Sequence, residues 1–199
     1  MSLIPAFEIG LWNAWIFMLL DILTFPLFMR IAKGRAPEAE GESQVSAMSK
    51  TKRITLYSSK IIYIPASIYS IFLPLKLGTV WFYVGLPISL IGFITGVMVI
   101  LNWAASPRGE PVTNGLYSYS RHPMYITAFI FFLGVSITTA SWVFFLFTIL
   151  LIGASFYFAP LEEQSCLDKY GAAYREYMER TPRYIGIPKS VKKSTKGGE

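Results

Sequence analysis

Long apolar stretches separated by short polar ones dominate this chain. The apolar stretches cover Leu11–Ile31, Ile54–Leu75, Thr79–Ala104, Met124–Thr139 and Trp142–Pro160. A helix needs about 20 mostly apolar residues to cross a bilayer, whereas a barrel strand needs about 10 with alternating character. These stretches do not alternate and are too long for strands. The pattern predicts an all-α polytopic membrane protein with five transmembrane helices. Pro26, Pro65 and Pro87 fall inside them as kinks that neighbouring helices can accommodate.

Spans four and five are separated only by a short polar turn near Ala140, which predicts a tight antiparallel hairpin. Gly134 and Ser136 on one side, and Gly153, Ala154 and Ser155 on the other, would let the two backbones approach closely. The hairpin would bring Arg121-His122-Pro123 and Pro160-Leu161-Glu162-Glu163 to the same end. Between Glu162 and Arg180, Leu167, Tyr170, Tyr174, Tyr177 and Met178 recur at helical spacing. They predict a short C-terminal amphipathic helix, lying on the membrane surface or folded under the bundle.

Composition agrees with this picture. Of 199 residues, 53% are hydrophobic and only 15% charged, against about 25% in ordinary soluble domains. Disorder is excluded and one membrane domain, 1–199, is expected, with three spans in 1–105, the hairpin and its flanks in 106–188 and a basic tail in 189–199. The net charge of +6 tracks topology rather than a nucleic-acid groove. All 18 Lys and Arg except Lys60 and Lys76 fall on one side of the five-span arrangement. The positive-inside rule then puts the N-terminus outside and the C-terminus in the cytoplasm. Leu11 onward lacks a basic flank and a small-residue cleavage pattern, so it is expected to be a retained span. One cysteine, Cys166, and one histidine, His122, exclude a disulfide within the chain and a multi-Cys or His-rich metal site.

Chemistry concentrates at the cytoplasmic end of the hairpin. Asn114-Gly115 marks a turn, and Tyr117, Tyr119 and Tyr125 bring rings near the headgroup level. A membrane-interface aromatic belt would account for the individual tyrosines. His122 precedes Pro123, a helix-starting proline that leaves backbone N–H groups free for an anion. Glu162 and Glu163 follow a span, where carboxylates are functional candidates or simply partners of Arg121. Adjacent helical positions point about 100° apart, so one of the two is expected to face a site, and Glu163 shares a heptad register with Tyr170 and Tyr177. Asp21 and Lys60 are ionisable residues inside spans one and two. They seed a rival reading, a small transporter or scaffold.

Gly115-Leu116-Tyr117, Arg121-His122-Pro123-Met124-Tyr125, Glu162-Glu163, Tyr170-Gly171, Tyr174, Tyr177 and Arg180-Thr181-Pro182, in this order, resemble the isoprenylcysteine carboxyl methyltransferases. They also resemble the phospholipid methyltransferases of the same superfamily. The resemblance covers Pro107 to Pro188. It implies a membrane methyltransferase that uses S-adenosylmethionine, with a cytosol-facing cofactor pocket in the C-terminal half and a lipophilic substrate arriving from the bilayer. By position it implies Pro111, Val112, Tyr117, His122, Pro123, Met124, Tyr125 and Glu163 as cofactor residues. Arg121 and Glu162 are then expected to orient the substrate, and no metal is expected. Eukaryotic carboxyl methyltransferases carry a substrate-carboxylate Arg four residues before this glutamate, where this chain has Ala159. The acceptor is therefore open between an isoprenylcysteine-like carboxylate and a lipid amine. A sterol-type reductase shares some of the pattern but has a longer membrane region ahead of it.

Overall fold

The computed structural model describes residues 8–31, 63–107 and 109–187. Lys60, the Gly34–Lys50 loop, Arg108 and the tail from Pro188 lie outside them, as do residues 54–62 of the second apolar stretch. The described residues form helices and no strands: α1 (Trp15–Ile31), α2 (helical at 63–71), α3 (Val80–Ala105), a 3-10 turn (Gly115–Ser118), α4 (Pro123–Thr139), α5 (Trp142–Tyr170) and α6 (Ala172–Arg180).

Among the described residues, two helices are long and apolar enough to cross a membrane, α3 and α5. The 29 residues of α5 span about 43 Å at 1.5 Å each, well beyond a hydrocarbon core of about 30 Å. The helix does not stop at Pro160, where the apolar stretch ends. It runs through that proline to Tyr170, carrying Glu162 and Glu163 on its polar continuation.

The expected amphipathic helix over Glu162–Arg180 is thus two pieces. Gly171, at φ +54 and ψ −123, breaks it in a conformation that side-chain-bearing residues rarely adopt, and α6 sets off in a new direction. Tyr174 and Tyr177 are buried while Arg175, Glu176 and Glu179 face out, so α6 is folded under the bundle. The Tyr177 hydroxyl donates to the Tyr117 carbonyl at 2.7 Å, tying α6 to the 3-10 turn.

Glycines set the closest helix contact, though in a different place from the one the sequence pattern predicts. A Cβ on Gly134 would run into the Ser89 backbone of α3, and one on Gly92 into the Phe131 backbone of α4. The close approach is therefore between α3 and α4. At Gly153 such an atom would meet nothing within 4 Å among the described residues. Helices α4 and α5 instead meet through larger side chains, with Phe132 stacked on Phe144 at 5.8 Å. Between them lie only Ala140, left-handed at φ 50, and Ser141, whose hydroxyl caps α5 by accepting from the Phe144 amide.

Phe131, Phe132, Val135 and Phe144 form one apolar core with Ala14, Phe17 and Met18 of the α1 region and with Ala66 and Leu73 from the second apolar stretch. Beside it, the Tyr63 hydroxyl donates to Asp21 at 2.6 Å, so the carboxylate of α1 has a neutral partner. The core fills the half of the bundle nearest the Ala140 turn. The polar cluster occupies the other end.

Candidate active site

Arg121 and His122 stand immediately before α4, and Glu162 and Glu163 stand near the end of α5. Pro123 at the first position of α4 fixes where that helix starts, with His122 as its cap. The segment ahead is pinned to the chain after α6. The Arg121 amide donates to the Pro182 carbonyl at 3.0 Å, and the Ser120 hydroxyl donates to the Arg183 carbonyl at 3.2 Å. Sequence-distant pieces are thereby held within one hydrogen-bonded cluster.

Glu163 is its centre. Only 2% of the residue is exposed, and three basic side chains surround its carboxylate. His122 Nε2 lies 3.2 Å from Oε1. Arg183 donates from Nε to both oxygens, at 3.0 and 3.1 Å, and from Nη2 to Oε2 at 2.7 Å. Arg121 Nε sits 3.3 Å from Oε1 as an ion pair, off the line of a hydrogen bond. Burial by itself would raise the Glu163 carboxyl, but the bonds from His122 and Arg183 and the charge of Arg121 outweigh it and hold it at about 2. Burial opposes charge on His122 as well, yet its bonds to Glu162 and Glu163 raise its pKa above the ordinary value.

Both glutamates address the histidine, which corrects the expectation that one of them would face away. Glu162 Oε2 is 3.5 Å from His122 Nδ1, and Glu162 Oε1 accepts from the Tyr125 hydroxyl at 2.6 Å. The reason is geometric. The imidazole lies across the helix face and uses one nitrogen for each carboxylate, so the offset of about 100° between neighbours is bridged. Tyr125 stacks on the ring at 5.6 Å, and Tyr184 flanks it at 6.3 Å.

Arg121 is the anomaly. Its side chain is nine-tenths buried, and its Nη1 has no hydrogen-bond partner among the described residues. A buried guanidinium nitrogen left without an acceptor is costly, so this one marks a place for an anion beside the start of α4. Tyr117 is buried under α6, Met124 is half exposed, and Pro111 and Val112 are partly buried ahead of the 3-10 turn.

The family model of the phospholipid methyltransferases matches residues 75–173. The chain belongs to the phospholipid methyltransferase superfamily. No curated protein matches the sequence significantly. The match begins ahead of α3 and ends at the start of α6, so it takes in Arg121, His122, Glu162 and Glu163 together. A superfamily member is a methyltransferase associated with membranes, and members generally use S-adenosylmethionine. The residues present fit that molecule: the orphaned Arg121 nitrogen suits its carboxylate, and Glu163 suits its ammonium.

Two residues of the cluster, Arg183 and Tyr184, are given no role by the sequence pattern. They follow the last helix in a stretch without periodicity, and no pattern says where such a stretch returns. The one local signal is Pro182, which ends any helical continuation.

Proposed function

We propose that the protein is an S-adenosylmethionine-dependent methyltransferase that acts on a lipophilic acceptor at the membrane interface. The observation that carries this reading is the meeting of Arg121-His122 with Glu162-Glu163 in one buried cluster inside the family-matched region. When bound, S-adenosylmethionine supplies an electrophilic methyl group on a sulfonium. Arg121 Nη1 and the start of α4 would hold its carboxylate, and Glu163 its ammonium. Tyr117, Tyr125, His122, Pro123, Met124, Pro111 and Val112 would enclose the rest. The protein's task is then alignment and exclusion of water, and well-oriented reactants gain up to about 7–11 kcal/mol from position alone.

We read the membrane arrangement as five crossing helices with α4 and α5 as a hairpin, the N-terminus outside and the site cytoplasmic. Lys76 supports this orientation: its amide donates to the Thr138 carbonyl, at the end of α4 opposite Arg121. The acceptor would reach the cluster from lipid, and membrane lipids are its natural surroundings.

A lipid amine is the second reading of the acceptor, next to an isoprenylcysteine-like carboxylate. Ala159 is fully buried and offers no cation, whereas Glu162 is 39% exposed beside Tyr125 and could take a proton from an amine. Calorimetry on detergent-solubilised protein tests the proposal. S-adenosylhomocysteine should bind the wild type, and binding should be lost in His122→Ala and Glu163→Gln. Normal binding by both variants would remove these residues from the site. Methyl transfer to a panel of prenylated thiols, lipid amines and lipid acids then separates the two acceptor classes.

A further inference from the structure

Three basic groups surround the Glu163 carboxylate, and one of them is unlike the others. Arg121 and His122 are nine-tenths buried and stand at the fixed start of α4, whereas the Arg183 side chain is 40% exposed. Beyond Pro182, which the Arg121 amide anchors, the Arg183–Glu163 fork is the main tie of the 183–187 segment. Ser120 donates to the Arg183 carbonyl at 3.2 Å, and the Tyr184 hydroxyl donates to the Ser155 carbonyl at 3.4 Å. Ile185 and Ile187 are almost wholly exposed and add no packing. A Cβ on Gly186 would come within 2.8 Å of Pro182 Cγ, so the segment is folded back on itself as a small closed strap.

The strap covers something. The Tyr184 ring packs edge-on against Phe156 at 4.9 Å and flanks His122. Its hydroxyl reaches α5 at Ser155, about two turns along the helix from Glu163 towards the apolar part. Phe156 and Tyr157 beside it are exposed on the bundle surface. Tyr184 therefore stands on the apolar side of the histidine, where a lipophilic molecule would pass.

We propose that Arg183 is an exchangeable counter-ion for Glu163, and that a ligand's ammonium displaces it and releases the Tyr184 strap from the apolar side of the site. This rests on the reading of Glu163 as the ammonium partner of S-adenosylmethionine. Occupancy of the carboxylate carries the rest. The two Glu163 oxygens are already taken by His122, by Nε and Nη2 of Arg183 and by the adjacent Arg121, so an ammonium that binds them displaces one of these groups. Arg183 is the one whose charge can move into water. The exchange orders the reaction: methyl donor first, lipophilic acceptor second.

A latch that is closed in about nine molecules of ten weakens the apparent affinity about tenfold, and removing it restores the difference. Calorimetry with S-adenosylhomocysteine on solubilised Arg183→Gln should therefore show binding about tenfold tighter than wild type. Hydrogen exchange of the wild type should show residues 183–187 exchanging faster with S-adenosylhomocysteine present. Equal or weaker binding by Arg183→Gln, or slower exchange of the strap with ligand, overturns the latch and leaves the cofactor reading standing. No binding by the wild type overturns both. If Arg183→Gln does not fold, the exchange measurement on the wild type decides alone.

Discussion

Glu163 and Arg183, 20 residues apart and on opposite sides of the Gly171 break, form a forked ion pair at 2.7–3.1 Å whose carboxylate is almost wholly buried. The pair fastens the chain after α6 to the end of α5. It also places the best-solvated cation of the cluster against its most buried anion.

Removing the anion should be expensive. Glu163→Gln leaves Arg121, His122 and Arg183 facing a neutral amide, and losing one partner of a buried ion pair costs about 3–5 kcal/mol. Arg183→Gln leaves two basic partners in place, and its partly exposed charge is worth about 1 kcal/mol or less. Thermal unfolding of the solubilised variants checks the order, and a larger loss from Arg183→Gln than from Glu163→Gln would contradict it.

Stability should fall at both ends of the pH range. Glu163 is held at about 2 against an ordinary 4.5, so its contribution is whole above about 4.5 and is lost as pH falls from there towards 2. His122 has the opposite sign. Its pKa is raised above the ordinary 6.5, so its contribution is whole below 6.5 and is lost as pH rises through its folded value. Melting temperatures measured between about pH 3 and 9 should show both limbs, and His122→Ala should flatten the alkaline one. An unchanged alkaline limb in that variant would assign it to another group.

Gly92→Ala and Gly134→Ala should each destabilise by about 1–3 kcal/mol or more, because the added methyl meets the backbone of the facing helix rather than a side chain that can turn away. Gly153→Ala meets no described atom and removes a helix-interior glycine, so it should be neutral or stabilising by up to about 1 kcal/mol. Unfolding of the three variants under one condition makes the comparison.

Tyr177→Phe deletes the donor to the Tyr117 carbonyl and leaves a buried acceptor short of a partner. The expected loss is about 1–3 kcal/mol. Its fingerprint should be faster hydrogen exchange across Ala172–Arg180 with the α3–α4 core unchanged. Uniform loosening of the whole chain would show that α6 is not an independent tie.

The chain alone specified the helical class, through apolar runs too long and too uniform for strands. It also determined the start of α4, because Pro123 sits where a helix can begin but not continue, and it allowed the break at Gly171, because glycine tolerates a positive φ. The order of Arg121-His122 and Glu162-Glu163 about a short turn made their meeting legible from the chain alone. Those are local properties, set by backbone freedom and hydropathy over a few residues.

Packing chose the partners. Gly134 was visible as a small residue, but only packing assigned it to α3 rather than α5, since a missing side chain does not say which neighbour will use the space. The pairing of both glutamates with one imidazole depended on the tilt of the His122 ring, which the offset of adjacent helical positions does not specify. Arg183 came to Glu163 through an aperiodic turn held by single hydrogen bonds, and such contacts are fixed by the whole fold because no stretch of the chain encodes them alone.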